Sequence, residues 1–197
     1  MMTIKVEFFY DYVSVYSYLA NSQLDTIAGA EIEYRPMLLG AVMEATGNRP
    51  PLTVKAKGRY LIGDVARWVS RYGLSFKFNP VFPQNTVNAL RVAIVALREQ
   101  QFDAIHQSLF DAMWIDEVNL SDKASLASLI TDAGLDAGAY LDAIGRQEVK
   151  DELKANTDEA IERGAFGAPT FFVGDQMFFG NDRFDFIKEE IANQSTK

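Results

Sequence analysis

No cysteine occurs anywhere in the 197 residues. The chain can therefore form no disulfide, hold no zinc or iron–sulfur cluster through thiolates, and use no cysteine nucleophile. Histidine is almost as scarce. His106 is the single one, which excludes paired-histidine metal motifs and leaves little room for a histidine-based catalytic network. Basic residues are outnumbered, 19 against 27 acidic, for a formal net charge of −8. With no basic stripe expected to neutralise phosphates, this balance argues against nucleic acid as a partner. Uncharged runs are too short and too polar to span a bilayer. Strings of the serine-hydrolase, Rossmann, phosphate-loop and EF-hand types are missing, so those classes have no support. The remainder is a packed chain, 48% hydrophobic and 12% aromatic, of a length that buries roughly 70% of its unfolded surface. Met1 to Lys5 lead into strand-like sequence, so no secretory signal is expected and a cytoplasmic enzyme or binding protein is the default.

The two ends differ from the middle. Ile4 to Tyr10 begins in apolar–charged alternation and turns fully apolar, as in a strand buried on both faces. A turn at Asp11 to Ser14, a helix over Val15 to Ala28 closed by Gly29, and a strand over Glu31 to Arg35 stopped by Pro36 complete a β-α-β unit. From Lys57 to Arg163 the pattern is helical, and the acid-rich run from Asp151 reads as a solvated helix face. Thr170 to Val173 and Gln176 to Phe179 flank Gly174-Asp175, the type of link that closes a tight hairpin. A last helix, capped by Asn181 or Asp182, has Phe184, Ile187 and Ile191 on one face. Without its helical insertion, this is the element order of a thioredoxin fold. The expected division is a thioredoxin-like domain of residues 1–36 and 165–197 around an inserted all-helical stretch, 37–164.

Two junctions could carry chemistry. At Ser14-Val15-Tyr16-Ser17 the first strand gives way to the first helix, where exposed amides favour an anion. A thioredoxin fold has a C-x-x-C pair there; here both positions are serine. Ser14 is open to two readings, a plain helix cap or a hydroxyl that stabilises a borrowed thiolate. At Ala168-Pro169 the proline either simply stops the preceding helix or, as thioredoxin-like folds have it, is cis and lies opposite Ser14. Ala168 would then offer its backbone to an extended peptide. An anion hole beside a peptide-docking edge suits a ligand that is both peptide and thiolate, and glutathione is such a ligand. A hydrogen bond to an anion contributes about 1.5–3 kcal/mol and a helix terminus about 0.3–1, enough to lower a thiol pKa by roughly one to three units.

Phe9-Tyr10-Asp11-Tyr12-Val13-Ser14-Val15-Tyr16-Ser17-Tyr18-Leu19 resembles the opening motif of the 2-hydroxychromene-2-carboxylate isomerase and kappa-class glutathione transferase family. Gly47-Asn48-Arg49-Pro50-Pro51, Lys57-Gly58-Arg59-Tyr60, Phe82-Pro83-Gln84-Asn85-Thr86, Phe166-Gly167-Ala168-Pro169-Thr170 and Gly180-Asn181-Asp182-Arg183 resemble its other signatures, in family order. The resemblance implies a DsbA-like thioredoxin fold with an inserted helical domain, usually a homodimer, that uses glutathione on an aromatic or conjugated carboxylate. Carried over, Ser14 would activate the glutathione sulfur, with Val15 and Tyr16 lining the same turn. Asn48 would contact glutathione, and Lys57 would neutralise one of its carboxylates. Ala168 would bind the cysteinyl backbone before a cis Pro169. Asn181 and Asp182 would hold the γ-glutamyl end, although Asp182 could equally be only a cap. In the isomerase branch the thiolate adds to a conjugated double bond, the bond rotates, and elimination returns the thiol; in the transferase or peroxidase branch the thiol is consumed. A protein that binds glutathione without catalysis is a further alternative.

Two departures stand out. The family usually has proline where Val15 stands, and lysine is frequent just before the Gly-Asn loop, where this chain has Glu44. Lys57 or Arg49 could take over the anchoring of a substrate carboxylate. His106 is expected to be packed or at the surface rather than catalytic. The aromatic stretch Trp68, Tyr72, Phe76, Phe78 and Phe82 is either core between the two parts of the chain or a wall of an aromatic substrate pocket.

Overall fold

The alternation that ends in Phe8-Phe9-Tyr10 forms β1 (Ile4–Tyr10), whose last three residues are fully buried. β1 is central in a four-stranded sheet of order β2-β1-β3-β4. β2 (Ala30–Pro36) runs parallel to it, with Val6 opposite Ile32 and Tyr10 opposite Pro36. β3 (Thr170–Val173) runs antiparallel, with Phe9 opposite Thr170, and β4 (Gln176–Phe179) closes the hairpin at the edge. The computed structural model describes residues 3–195, so Met1 and Met2 at the head of the strand-like opening, like residues 196–197, lie outside it.

Side chains one residue apart on a strand serve opposite faces. Val6, Phe8 and Tyr10, with Phe171 and Val173, enter the main core, where Phe8 stacks on Phe171 at 5.0 Å between ring centroids. Phe9 and Phe172 enter a smaller core with Met37, Val42, Ala160, Ala165 and Ala168. Two helices cover this second face, α2 (Leu39–Thr46) and α8 (Gln147–Glu162). The charged run is thus not wholly solvated: Asn156, Thr157 and Ala160 are buried. Arg35 reaches Glu7, Glu33 and Glu159, and Arg163 lies 2.8 Å from Glu7 with its guanidinium 3.7 Å from the centre of the Phe172 ring.

The helix expected over Val15 to Ala28 is shorter. α1 covers Val15–Asn21, and a single 3-10 turn at Leu24–Thr26 follows. Side chains cut it short: the Ser22 hydroxyl donates to the Leu19 carbonyl, and Asn21 turns aside to meet His106, 2.8 Å from Nε2. Short polar side chains compete with the helical ladder in this way.

Between β2 and β3 also lie α3 (Lys55–Tyr72), α4 (Val87–Arg98), α5 (Phe102–Trp114), α6 (Lys123–Asp132) and α7 (Ala137–Ala143). The helical pattern expected from Lys57 onward breaks at residues 73–86, which form no regular element. There the Asn79 amide donates to the Met113 and Val118 carbonyls, and Phe82–Pro83 is cis. The aromatic stretch divides. Phe76 and Phe82 pack on buried Trp114 at the edge of the core and exposed Phe78 meets its edge, while Trp68 and Tyr72 pair on α3. The last helix, α9 (Phe184–Ser195), buries Phe184, Ile187 and Ile191 as its pattern predicts. Its first turn is held by the Arg183 carbonyl, so Asn181 and Asp182 precede the cap rather than form it. The whole is a thioredoxin fold with helices inserted between its second and third strands. Among the described residues no helix is long and apolar enough to cross a membrane.

Candidate functional site

β1 hands over to α1 through a turn tied by its own first residue. The Asp11 carbonyl accepts from the Ser14 N–H at 3.0 Å, and its carboxylate accepts from the Val13 N–H at 3.1 Å. The same carboxylate accepts from the Leu39 N–H at the start of α2 and from the Thr86 hydroxyl just before α4. Asp11 is 1% exposed. Burial pushes its carboxyl pKa up, against the pull of these three donors. A lone acid inside Phe8-Phe9-Tyr10-Asp11-Tyr12-Val13 is legible in the sequence only as the start of a turn; its role as an anchor emerges from these partners. Its partner Thr86 ends the Phe82-Pro83-Gln84-Asn85-Thr86 string, but nothing in that string marks it as the donor to Asp11.

The turn places Ser14 as the N-cap of α1. Its Oγ accepts from the Ser17 N–H at 3.2 Å and donates to the Ala168 carbonyl at 2.9 Å. The antiparallel register of β1 and β3 brings the two segments together, and Ala168–Pro169 is cis. Val15 is buried behind the corner. Ser17, at the second position of the serine pair, has a fully buried hydroxyl with no protein partner among the described residues. α1 is only seven residues long, so hydroxyl and turn amides, rather than a long helix dipole, dominate the electrostatics here.

The remaining residues singled out from sequence surround this corner through intermediaries. The Asn48 amide donates to the Phe166 carbonyl at 2.7 Å, which ties the loop after α2 to the cis-proline segment. The Gly180 N–H donates to the Pro169 carbonyl at 3.1 Å and delivers Asn181 and Asp182 to the same side. Gly180 has φ +103, and a Cβ there would lie 2.9 Å from an Asp182 carboxylate oxygen, so glycine is required. Asn181 is buried and its carbonyl accepts from the Tyr72 hydroxyl at 2.9 Å, while exposed Asp182 pairs with Arg183 at 2.7 Å. Tyr16 donates to Asp64 at 2.9 Å and Tyr60 to its other oxygen at 3.3 Å. Burial first, then the Asp64 carboxylate, pushes the Tyr16 hydroxyl pKa up, so it stays protonated as a donor. Between α1 and α3 opens a groove of about 400 Å3 lined by Tyr16, Pro51, Ala56, Lys57, Tyr60 and Leu61. That volume is enough for one small aromatic molecule. Asp64 carries no signal in the sequence, and Tyr60 and Tyr72, legible there only as part of a family string and of the aromatic stretch, gain their links to Asp64 and Asn181 only once α3 has folded.

His106 lies away from this corner in an aromatic nest. Nδ1 is 2.9 Å from the Tyr12 hydroxyl and the ring stacks on Phe102 at 4.2 Å. Burial lowers its pKa to about 3, so it is a neutral packing residue, as expected.

Comparison with known proteins places these features. The family model for the DSBA-like thioredoxin domain matches residues 5–192. A 2-hydroxychromene-2-carboxylate isomerase of Pseudomonas putida is 35% identical over 196 residues, covering 95% of this chain and 94% of its own. A solved structure of a 2-hydroxychromene-2-carboxylate isomerase superposes with a TM-score of 0.87 at 28% identity, over 98% of this chain and 96% of that one. Glutathione S-transferase kappa 1 of Rattus norvegicus is 27% identical, covering 92% of this chain and 88% of its own.

Proposed function

This chain belongs to the DSBA-like thioredoxin domain family, in the group that holds the 2-hydroxychromene-2-carboxylate isomerases and kappa-class glutathione transferases, and on that premise we propose that it is a glutathione-dependent isomerase of an aromatic or conjugated oxo-acid. One observation carries the reading: the Ser14 hydroxyl sits 2.9 Å from the carbonyl of Ala168, beside the cis proline. A peptide whose backbone N–H meets that carbonyl brings its own side chain to Ser14. The surrounding groups suit glutathione. Lys57 and Arg49 are exposed cations for its carboxylates, Asp182 is an exposed anion for its ammonium, and Ser14 is a donor for its sulfur.

The Ser14 proton is occupied by Ala168 before a ligand docks. An incoming peptide N–H competes for the same carbonyl and releases the hydroxyl, which can then turn toward the sulfur. The Ser17 N–H holds the Ser14 oxygen in place meanwhile. Asp11 fixes the turn, so the hydroxyl pivots on a rigid base. The groove beside Tyr16 and Lys57 would receive the aromatic part of the substrate and exclude water from it. When bound, glutathione supplies a thiolate that adds reversibly to a conjugated double bond and so permits its rotation.

The test is conversion of aryl-pyruvates, followed by ultraviolet absorbance with and without glutathione, alongside titration of free thiol. Isomerisation that requires glutathione and leaves the thiol titre constant over many turnovers supports the reading. Loss of one thiol per turnover moves it to the transferase reading, which the kappa relative favours. Ser14→Ala should raise the pKa of the bound thiol by roughly one to two units, as the loss of a hydrogen bond to an anion dictates. An unchanged thiol pKa and unchanged activity in that variant would remove Ser14 from the mechanism.

A further inference from the structure

The overall charge balance gives no hint of a basic stripe, yet the fold displays one. From Arg49 to Lys77 the chain carries seven basic residues and one acidic residue, Asp64, within a protein of net charge −8. Lys55, Arg59, Arg67 and Arg71 recur every four residues along α3, with Gly63 at the missing step, and such positions form a ridge on a helix surface. All four are exposed. The Arg67 guanidinium lies 3.8 Å from where a Cβ on Gly63 would be, and 5.9 Å from the centre of the Tyr60 ring. That of Arg71 lies 5.4 Å from the Trp68 ring. Arg67 has Asp64 at 3.7 Å and Lys77 has Glu117 at 3.5 Å. Arg49, Lys55, Lys57, Arg59 and Arg71 form no ion pair among the described residues. Asp64, which accepts from both tyrosines of the groove, offsets part of this charge and faces Arg67, so the excess positive charge around the groove lined by Tyr16, Lys57 and Tyr60 comes chiefly from Lys55, Lys57, Arg59 and Arg71.

We propose that the α3 ridge steers small aromatic carboxylates into this groove, with Arg67 and Arg71 acting on the association rate rather than on the bound complex. The inference rests on the groove lined by Tyr16, Lys57 and Tyr60 being the substrate's, but not on the reaction that follows. Clefts with charge of one sign concentrate counter-ions and raise association rates about tenfold or more at low salt. A small anion fits better than a polyanion. The ridge ends at a groove of about 400 Å3 faced by two tyrosine rings, and the rest of this acidic chain repels long polyanions.

Cinnamate and its neutral amide, cinnamamide, are the probes, mixed with the intact protein in a stopped-flow instrument that follows tryptophan fluorescence. At low salt cinnamate should associate several-fold faster than cinnamamide. Arg67→Glu/Arg71→Glu should slow cinnamate about three- to tenfold, leave its dissociation rate unchanged and leave cinnamamide unaffected. The difference should close near about 0.3 M salt, where screening shortens the reach of charge to a few ångströms. Arg67→Lys/Arg71→Lys, which keeps charge but loses the planar stacking, should retain the wild-type rate. Equal rates for acid and amide, an effect confined to dissociation, slowing in the lysine variant, binding of neither probe, or ridge-dependent binding of a short DNA duplex would each overturn the proposal. Neither probe needs glutathione, so failure of the isomerase reading and failure of steering are separate results.

Discussion

His106 makes stability depend on pH in a window where few other side chains titrate. Its ring is buried and neutral. Nε2 is 2.8 Å from the Asn21 side-chain oxygen and Nδ1 is 2.9 Å from the Tyr12 hydroxyl, an arrangement met by a proton on Nε2 and none on Nδ1. Its pKa falls from the ordinary 6.5 to about 3 on folding. Below 6.5 the unfolded ring takes a proton while the folded ring does not, so the unfolded state binds more protons and stability falls as pH falls. The contribution is complete above about 6.5 and is progressively lost down to about 3. At about 1.36 kcal/mol per pH unit, acidifying from about pH 7.5 to about pH 5 should cost roughly 2 kcal/mol. Asp11 has the opposite sign. Burial raises its carboxyl pKa, so protonation there favours the folded state as pH falls, and comparing the wild type with His106→Gln cancels that contribution. Urea unfolding across the window should show the 2 kcal/mol slope in the wild type and its removal in His106→Gln, whatever that variant loses in absolute stability. As the chain has one histidine, proton NMR of its ring offers a direct check: the signal should not titrate above about pH 4. A ring that titrates near 6.5, or parallel slopes for the two proteins, would refute the reasoning.

Glutathione methylated on its cysteinyl amide nitrogen should still bind through its ends, but its thiol pKa should stay near the free value, because the Ser14 proton remains on the Ala168 carbonyl. A lowered thiol pKa in that analogue, read by thiolate absorbance, would show that the hydroxyl turns without displacement. Gly167→Ala puts a Cβ 2.8 Å from the Phe179 ring, which packs at 4.4 Å on Phe166. Displacing that ring should cost about 1–3 kcal/mol in denaturant unfolding, and Phe179→Ala in the same chain should relieve most of it.

What was legible in the sequence is what is local. Period-two alternation and Gly174-Asp175 gave β1 and the β3–β4 hairpin, and the spacing of Phe184, Ile187 and Ile191 gave the buried face of α9. Ser14 and Pro169 could be brought together only because the order of elements identifies the fold. What stayed hidden depends on partners far along the chain. Asn21, the last residue of α1, meets His106, 85 residues away. The irregular path of residues 73–86 is held by carbonyls of Met113 and Val118. Asp11 and Thr86, 75 residues apart, show nothing of their bond in either local sequence. The α3 ridge escaped for another reason: total charge averages over position, and steering depends on where charge lies.

Asp11 joins these levels. A buried carboxylate with no cation is costly to keep unless donors surround it, and here the donors come from the Ser14 turn, the start of α2 and the residue before α4. α2 leads to the Asn48 loop, which grips the segment before Pro169. α4 begins where the irregular stretch after α3 ends. The two sides of the candidate site, the peptide edge and the helices that carry the groove, thus share one anchor three residues from Ser14. A chain without cysteines thus keeps the Ser14–Ala168 corner of its fold in shape through that carboxylate, and on the proposed reading the thiol comes with the ligand.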